Sequence, residues 1–383
     1  MPDVSEALFQ NRQAVAGSMM NSTAVMYSRP EAWRGQMKTV TICPAFDALY
    51  YSFYIQGIVD SFGKANVEFS YKGFPRLPLD CLAFIVHGTE PLRVVIDAYD
   101  GVRLTNHRAI EWCDVYGKVN LEWSALPHKY AYKCLPIGPS FPVRLWSWSK
   151  SICMGLRNYH PRVQGVKYAR KHFSDYVRQC RDRLPLTEFV PGHVRNNYVF
   201  FSATIWREAE APGTNQCRSS FMTSCKSFRG LKFEGGFSPP RSLESSSSYS
   251  QHIAPKRYPL SEWLEKIKWS VIAFNTPAVW ASHTWKLAEY LALGKAIVSM
   301  PIQRELPVPL VHGRNIHYVD GSLDGFADAI RMIVNNRDYR MQLEQNARSY
   351  YLTYLSPGKV IERLLNHFTS TLAKSAPRIV QGT

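Results

Sequence analysis

The stretch "HTWKLAEYLALGKAIVSMPI", His283–Ile302, decides how the second half of the chain is read. Its middle reads as a short helix, closed by Gly294 and followed by a β-branched run. It comes directly after "SVIAFNTP" (Ser270–Pro277), a short apolar run of buried-strand type. The helix opens on Ser282, His283 and Thr284, and Lys286 and Glu289 share one of its faces. Helix N-termini present unpaired N–H groups and a partial positive charge, which makes them anion sites. With Lys286 adding a full charge in the first turn, a diphosphate fits there. A carboxylate beside a diphosphate is costly unless it accepts hydrogen bonds, and ribose hydroxyls are suitable donors for Glu289. By spacing alone the commoner explanation is a plain Lys–Glu surface pair, worth roughly a few tenths of a kcal/mol.

Working outward, the pattern of the rest of the chain is that of an α/β protein with a mostly parallel sheet. "KTVTICP" (38–44) is a β-branched strand, followed by a helix over "FDALYYSFYIQGIVDSFGKA" with Asp47 in its first turn. "VEFSYKG", "CLAFIVHG", "LRVVIDAYDG", "CDVYGKVNL" and "KCLPIGPSF" read as further strands. A basic stretch over 144–188 reads as helices and a connection. A second unit begins at "NNYVFFSATIW" (196–206), followed by a helix around "NQCRSSFMTSCKSF" and strand "GLKFEGGF". Next come the Ser-rich loop "RSLESSSSYS", taken as exposed, helix "LSEWLEKI", the opening stretch, strand "NIHYV" and a helical C-terminal part. The expected organisation is two doubly wound Rossmann-like domains facing across a cleft. It comprises a loosely ordered extension over 1–36, an acceptor-binding domain over 37–190 and a nucleotide-sugar-binding domain over 191–355. A helix and tail over 356–383 are placed to cross back to the first domain.

The 383 residues are 45% hydrophobic and 20% charged, a globular composition. No apolar run approaches the ~18 residues of a membrane-spanning helix, and no signal-peptide pattern opens the chain, so a cytoplasmic protein is expected. Eight scattered cysteines form no CxxC and no metal spacing, and read as reduced thiols. The net charge of +16 points to a polyanionic partner. Ten Lys and Arg between Arg144 and Arg183 face only Asp175 and Asp182, with Trp146 and Trp148 at the start. That combination suits an anionic membrane surface, at its inner face for a cytoplasmic protein. A solvated basic helix face is the equal alternative.

"HTWKLAEYLALGKAIVSMPIQRELP" (283–307) resembles the donor-binding segment of GT-B glycosyltransferases, the metal-independent two-domain type. There a "KLxEYLAxGKxIVS" pattern leads into a turn and a continuation that here is "RELPVPLVHGRN" (304–315). The resemblance is best over about 196–320. It implies that Glu289 binds the nucleotide ribose and that residues 282–286 contact the diphosphate. Many retaining members carry another glutamate eight positions earlier, where this chain has Ala281, so inversion and retention both stay open. Ser202 and Thr204 end a strand where phosphate-facing hydroxyls usually sit, and Arg218 in the next helix could neutralise a leaving group; common capping is their bland alternative. No Asp-x-Asp triad is present, and no metal or other cofactor is expected.

Inverting transfer needs a base for the acceptor hydroxyl. Asp47, Asp97 and Asp100 follow strands of the first domain, with Asp47 favoured and His87 and His107 as runners-up. Each aspartate has a bland role as helix-start charge or turn former. The expected activity is transfer of a sugar from a nucleotide-diphosphate donor to a glycan or lipid-linked acceptor, in surface polysaccharide assembly. A nucleotide-sugar epimerase of the same fold is the alternative. A nucleic-acid-binding protein is a third reading, but no recognised motif accompanies the charge.

Overall fold

The computed structural model describes residues 38–77, 79–104, 106–160, 164–239 and 247–375. The extension over 1–36, most of the Ser-rich loop and the last residues of the tail lie outside the described residues.

The first unit is a six-stranded sheet: β1 (Val40–Ile42), β2 (Val67–Phe69), β3 (Cys81–Val86), β4 (Leu92–Asp97), β5 (Val115–Lys118) and β6 (Cys134–Pro136), in the order β2-β1-β3-β4-β5-β6. Five strands run the same way, and β3 alone is antiparallel to both neighbours. The reason is local: residues 87–91 are too few to carry a crossover helix, so β3 and β4 close as a hairpin. Helix α1 (Ser52–Phe62) begins later than the apolar pattern suggests. Asp47 is therefore not in its first turn, which corrects the sequence reading. The Asp47 carboxylate instead accepts from the amides of Leu49 and Tyr50, a local turn that competes with helix. Short α2 (His107–Trp112), then α3 (Trp148–Asn158) and α4 (Ala169–Arg181) complete this unit.

In the second unit β7 (Tyr198–Ala203) pairs in parallel with β8 (Lys232–Phe237), and β9 (Ala273–Asn275), β10 (Ile297–Ser299) and β11 (His317–Tyr318) pair in parallel with one another. The Val271 amide donates to the Tyr198 carbonyl at 2.8 Å and sets β9 beside β7. Phe237 bridges in parallel to Ile253 on the far side of β8. A side chain at Gly236 (φ +138°) would lie 2.2 Å from the His252 carbonyl, so only glycine admits that neighbour. The strand order is thus Ile253 segment, β8, β7, β9, β10, β11: the doubly wound order, reversing between β7 and β9. Helices α5 (Thr214–Ser227), α6 (Leu260–Trp269), α7 (Trp285–Ala292), α8 (Leu323–Asn335) and α9 (Arg337–Tyr350) cover it.

One hydrophobic cluster runs through both units, joining Val40, Phe53 and Leu82 to Tyr290, Ile297 and Tyr351. Phe141 carries it across the boundary, with Phe189 at 4.5 Å and Tyr351 at 6.4 Å between ring centres. The last helix, α10 (Pro357–Ser375), leaves the second unit and packs on α1. Arg363 donates to the Pro136 carbonyl at 3.0 Å, anchoring it at the end of β6.

The α1–α10 contact is intolerant of extra volume: a Cβ on Gly57 would lie 2.4 Å from the Pro357 carbonyl oxygen. Gly57→Ala is expected to cost about 1–3 kcal/mol of stability by overpacking. Thermal denaturation checks this, and an unchanged midpoint would mean that the two helices separate freely.

Candidate active site

The strand order reverses between β7 and β9, and ligands of doubly wound sheets bind outside the carboxyl ends of the strands at such a point. Here those ends are Ser202–Thr204 and Asn275–Thr276. Thr284 N-caps α7: its hydroxyl accepts from the Leu287 amide at 3.0 Å and donates to Asn275 Oδ1 at 2.7 Å. Asn275 donates onward to Ser299 Oγ at 2.9 Å. One cap therefore ties the start of α7 to the ends of β9 and β10 and opens its first turn toward the cleft.

The cations of this corner converge. Arg218, on α5, is 5% exposed and donates to Thr276 Oγ1 at 3.1 Å and to the Thr204 carbonyl at 2.8 Å. Lys286 donates to the Ser202 carbonyl. Burial lowers the Arg218 guanidinium to about 10, and burial plus the charge of Arg218 lowers the Lys286 ammonium to about 7. Two buried cations this close, one lowering the other, favour an anion between them. A cavity of about 370 Å³ opens here, lined by Thr204, Arg218, Thr284 and Lys286 from one unit and by Tyr50 and Asp100 from the other.

Beyond Lys286 a second cavity of about 410 Å³ is lined by Arg183, Ser202, Tyr258, Trp285 and Glu289. Glu289 is 7% exposed, and its carboxylate makes no hydrogen bond among the described residues. Burial raises it to about 7 against the opposing charges of Arg183 and Lys286. Arg183, itself lowered by burial, stacks over Trp285 at 5.1 Å. Trp285 meets Tyr50 edge-on at 5.0 Å, across the cleft.

Ser282 and His283 are both buried, and His283 also lines the first cavity. The His283 amide donates to Asn120 Oδ1 at 2.8 Å, and its ring Nε2 donates to the Glu305 carbonyl at 3.2 Å. Burial lowers its imidazole to about 4, so it is neutral at pH 7. The buried Ser282 hydroxyl makes no hydrogen bond of ordinary geometry, yet it lies beside Asp100 and favours that carboxylate's charged form. Burial nevertheless raises the Asp100 carboxyl above its ordinary value.

The three aspartates separate clearly. Asp97 is 2% exposed and fully engaged: it accepts from Tyr116 Oη at 2.7 Å, Lys118 Nζ at 2.9 Å and the Tyr99 amide at 2.8 Å. It lies in the sheet interior, not in the cleft. Asp47 is ion-paired to Lys171 of α4 at the cleft rim. Asp100 lines the cavity. His87 bonds to Thr41 at 2.7 Å toward the other end of β1, and exposed His107 opens α2 away from both cavities.

Sequence reasoning missed Arg183, Asn120, Asn275 and the pair Trp280–Ala281. Trp280 (φ 52°) and Ala281 (φ 58°) are consecutive left-handed residues shortly before the Thr284 cap of α7. Such backbone costs on the order of 1–3 kcal/mol per residue and persists only where its surroundings enforce it. The Trp280 amide donates to the Glu210 carbonyl at 2.9 Å, and its own carbonyl accepts from Arg304 at 2.6 Å. No local pattern in "PAVWASHT" signals this, since both residues are poor left-handed formers.

Glu289 carries a stability signature. Its carboxyl goes from 4.5 in the unfolded chain to about 7 in the fold, so the native state loses stability as pH rises from 4.5 through 7. Glu289→Gln removes that loss and is expected to gain about 1–3 kcal/mol over the parent chain across the same window. Parallel melting curves from pH 4.5 to 7.5 check it; a constant offset would show that Glu289 does not titrate there.

No protein-family model matches the sequence, and no curated protein matches it. Solved structures show a weak likeness. The C-terminal domain of a glycosyl transferase group 1 family protein (LpcC) from Francisella tularensis aligns at 18% identity and TM-score 0.34, over 44% of this chain and 96% of that one. A glycosyltransferase from Rickettsia africae ESF-5 aligns at 12% identity and TM-score 0.40, over 73% and 71%. A putative UDP-N-acetylglucosamine 2-epimerase from Listeria monocytogenes aligns at 11% identity and TM-score 0.39, over 74% and 75%. Likeness at that level carries no argument about chemistry. The fold rests on the strand order and the cleft described above: two Rossmann-like α/β domains facing one another, the GT-B arrangement.

Proposed function

We propose that this protein is a glycosyltransferase that moves a sugar from a nucleoside-diphosphate donor to a hydroxyl of a glycan or lipid-linked acceptor. One observation carries the reading: Arg218, Lys286 and the N-terminus of α7 converge at the reversal of the strand order, one turn before the unbonded carboxylate of Glu289. The diphosphate lies against the two cations and the helix end. The nucleoside reaches into the second cavity, where its ribose hydroxyls donate to Glu289. A diphosphate raises the Lys286 pKa and ribose donors lower that of Glu289, so ligand binding restores both groups to their charged forms.

Transfer is then a displacement at the anomeric carbon. Asp100, across the first cavity, takes the proton of the acceptor hydroxyl, and the acceptor oxygen bonds to the anomeric carbon. The bond from that carbon to the diphosphate oxygen breaks, and its electron pair leaves with the diphosphate. Arg218, Lys286 and the α7 amides stabilise the charge that develops there. A carboxyl raised by burial is better matched to this work than one at its ordinary value. Asp100 takes the role in preference to Asp47, held by Lys171, and Asp97, held by Lys118 and Tyr116. His283 is held through its ring Nε2, which donates to the Glu305 carbonyl. No step calls on a metal or other cofactor, and nucleic acid is not an expected partner.

Thermal-shift titration with UDP, GDP, CMP and dTDP, each with and without EDTA, tests the reading. One nucleoside diphosphate is expected to raise the midpoint irrespective of EDTA, and no shift with any of them would overturn the proposal. Lys286→Ala is expected to weaken that ligand about tenfold or more, the loss of a charged hydrogen bond. In the parent chain affinity should fall as pH rises through about 7, where Lys286 loses its charge. Asp100→Asn should lower kcat about 10²–10⁴-fold while leaving nucleotide affinity within about twofold.

A further inference from the structure

Helix α3 carries an apolar row that nothing among the described residues covers. Trp148, Ile152 and Leu156 are 51%, 57% and 65% exposed. They recur every four residues, so they form a single stripe along the helix. The opposite face is fully used. Gly155 faces Phe173 and Tyr176 of α4, His172 donates to the Gly155 carbonyl at 2.9 Å, and Asn158 donates to Tyr176 Oη at 2.8 Å. The stripe is therefore not a misplaced core face. Val166 and Tyr168, 75% and 41% exposed, extend the apolar character into the turn before α4.

Along this segment the exposed charge is of one sign. From Arg144 to Ser174 the chain contains no Asp or Glu, and Lys150, Arg157, Lys167 and Arg170 are all exposed. The next acid, Asp175, is 5% exposed and paired with Lys171 at 2.5 Å. The two tryptophans at the start of the segment part company: half-buried Trp146 stacks on Tyr176 at 5.3 Å, while Trp148 is exposed. A polar protein surface would match the cations but not the bare Trp, Ile and Leu. An apolar protein groove would match the row but not the cations. An anionic bilayer matches both, with headgroups for the cations and the acyl boundary for the apolar row. No helix among the described residues is long and apolar enough to cross a membrane, so the contact is with the surface.

We propose that the Trp148–Ile152–Leu156 face of α3, with the Val166–Tyr168 turn, is a docking surface for an anionic lipid bilayer. Its position relative to the cleft gives it a use. Helix α4, packed behind α3, reaches the rim at Lys171, which pairs with Asp47, and the chain just beyond it supplies Arg183 to the second cavity. Docking through α3 holds the first domain at the headgroup level with a rigid path to the cleft. Resting on the function proposed above, this names the acceptor class as lipid-linked.

The test is co-sedimentation of the full chain with vesicles of phosphatidylcholine alone and of phosphatidylcholine mixed with phosphatidylglycerol. Binding is expected to the mixed vesicles only, and to weaken as salt is raised. Ile152→Glu with Leu156→Glu, both exposed positions, should reduce partitioning about tenfold or more, as should Lys150→Glu with Arg157→Glu. Trp148→Phe should remove the largest part of the tryptophan quenching by brominated lipid. All variants should keep the nucleotide-induced thermal shift of the parent chain. That readout separates failure of docking from failure of the transferase reading. Equal binding by the Ile152/Leu156 variant would overturn the proposal. So would vesicle-independent self-association that the same variant abolishes, which would make the face an interface between copies.

Discussion

The Thr284 cap is the constraint on which the site depends. A helix end must satisfy its first amides, and here the capping hydroxyl does so while also donating to the last residue of β9. Because Asn275 is bonded in turn to Ser299, the start of α7 has one position relative to both strands. That position places Lys286 at the end of β7 and Glu289 one turn deeper. A cap bonded only to its own helix would leave α7 free to slide, and the two charged side chains would no longer sit at the reversal of the strand order.

Desolvation then sets the electrical character of the site. Lys286 and Glu289 lie close in space and each is brought to about 7, from opposite directions. In water such a pair would be fully charged and weakly coupled. In the cleft each ionised form lacks the hydration it had, and Arg218 and Arg183 add charges that favour an anion and a carboxylate respectively. Both shifts are of the kind that the phosphates and hydroxyls of the proposed donor would reverse.

The two domains are also held together at this place. Asn120 accepts from the His283 amide, Arg304 pairs with Glu122, and the Glu305 amide donates to the Leu121 carbonyl at 3.0 Å. Three consecutive residues of the first domain thus meet the segments on either side of α7. With α10 returning to α1, the cleft has a fixed floor. Its rim, by contrast, is built of exposed or half-exposed aromatic rings, Tyr99 and Trp280 at 6.1 Å among them.

Much of this was legible in the sequence because it is local. The polar entrance, the Lys286–Glu289 spacing and Gly294 mark α7, and the apolar runs mark β7, β9 and β10. Five residues between β3 and β4 already imply a hairpin, although their composition resembles that of the parallel strands. What the sequence could not decide is which charged groups remain free. Asp97 and Asp100 are three residues apart in one strand end, yet the register of β4 on β5 sets Asp97 opposite Lys118 and leaves Asp100 at the cavity. Asp47 is engaged by Lys171, far along the chain. Trp146 and Trp148 differ only in which side of the chain meets Tyr176. Periodicity and capping are properties of neighbours in the chain, so the sequence alone determined the elements and the capped start of α7. Burial and pairing depend on partners brought from elsewhere, so only the tertiary structure decided which carboxylate faces the cleft and which aromatic face is left to solvent.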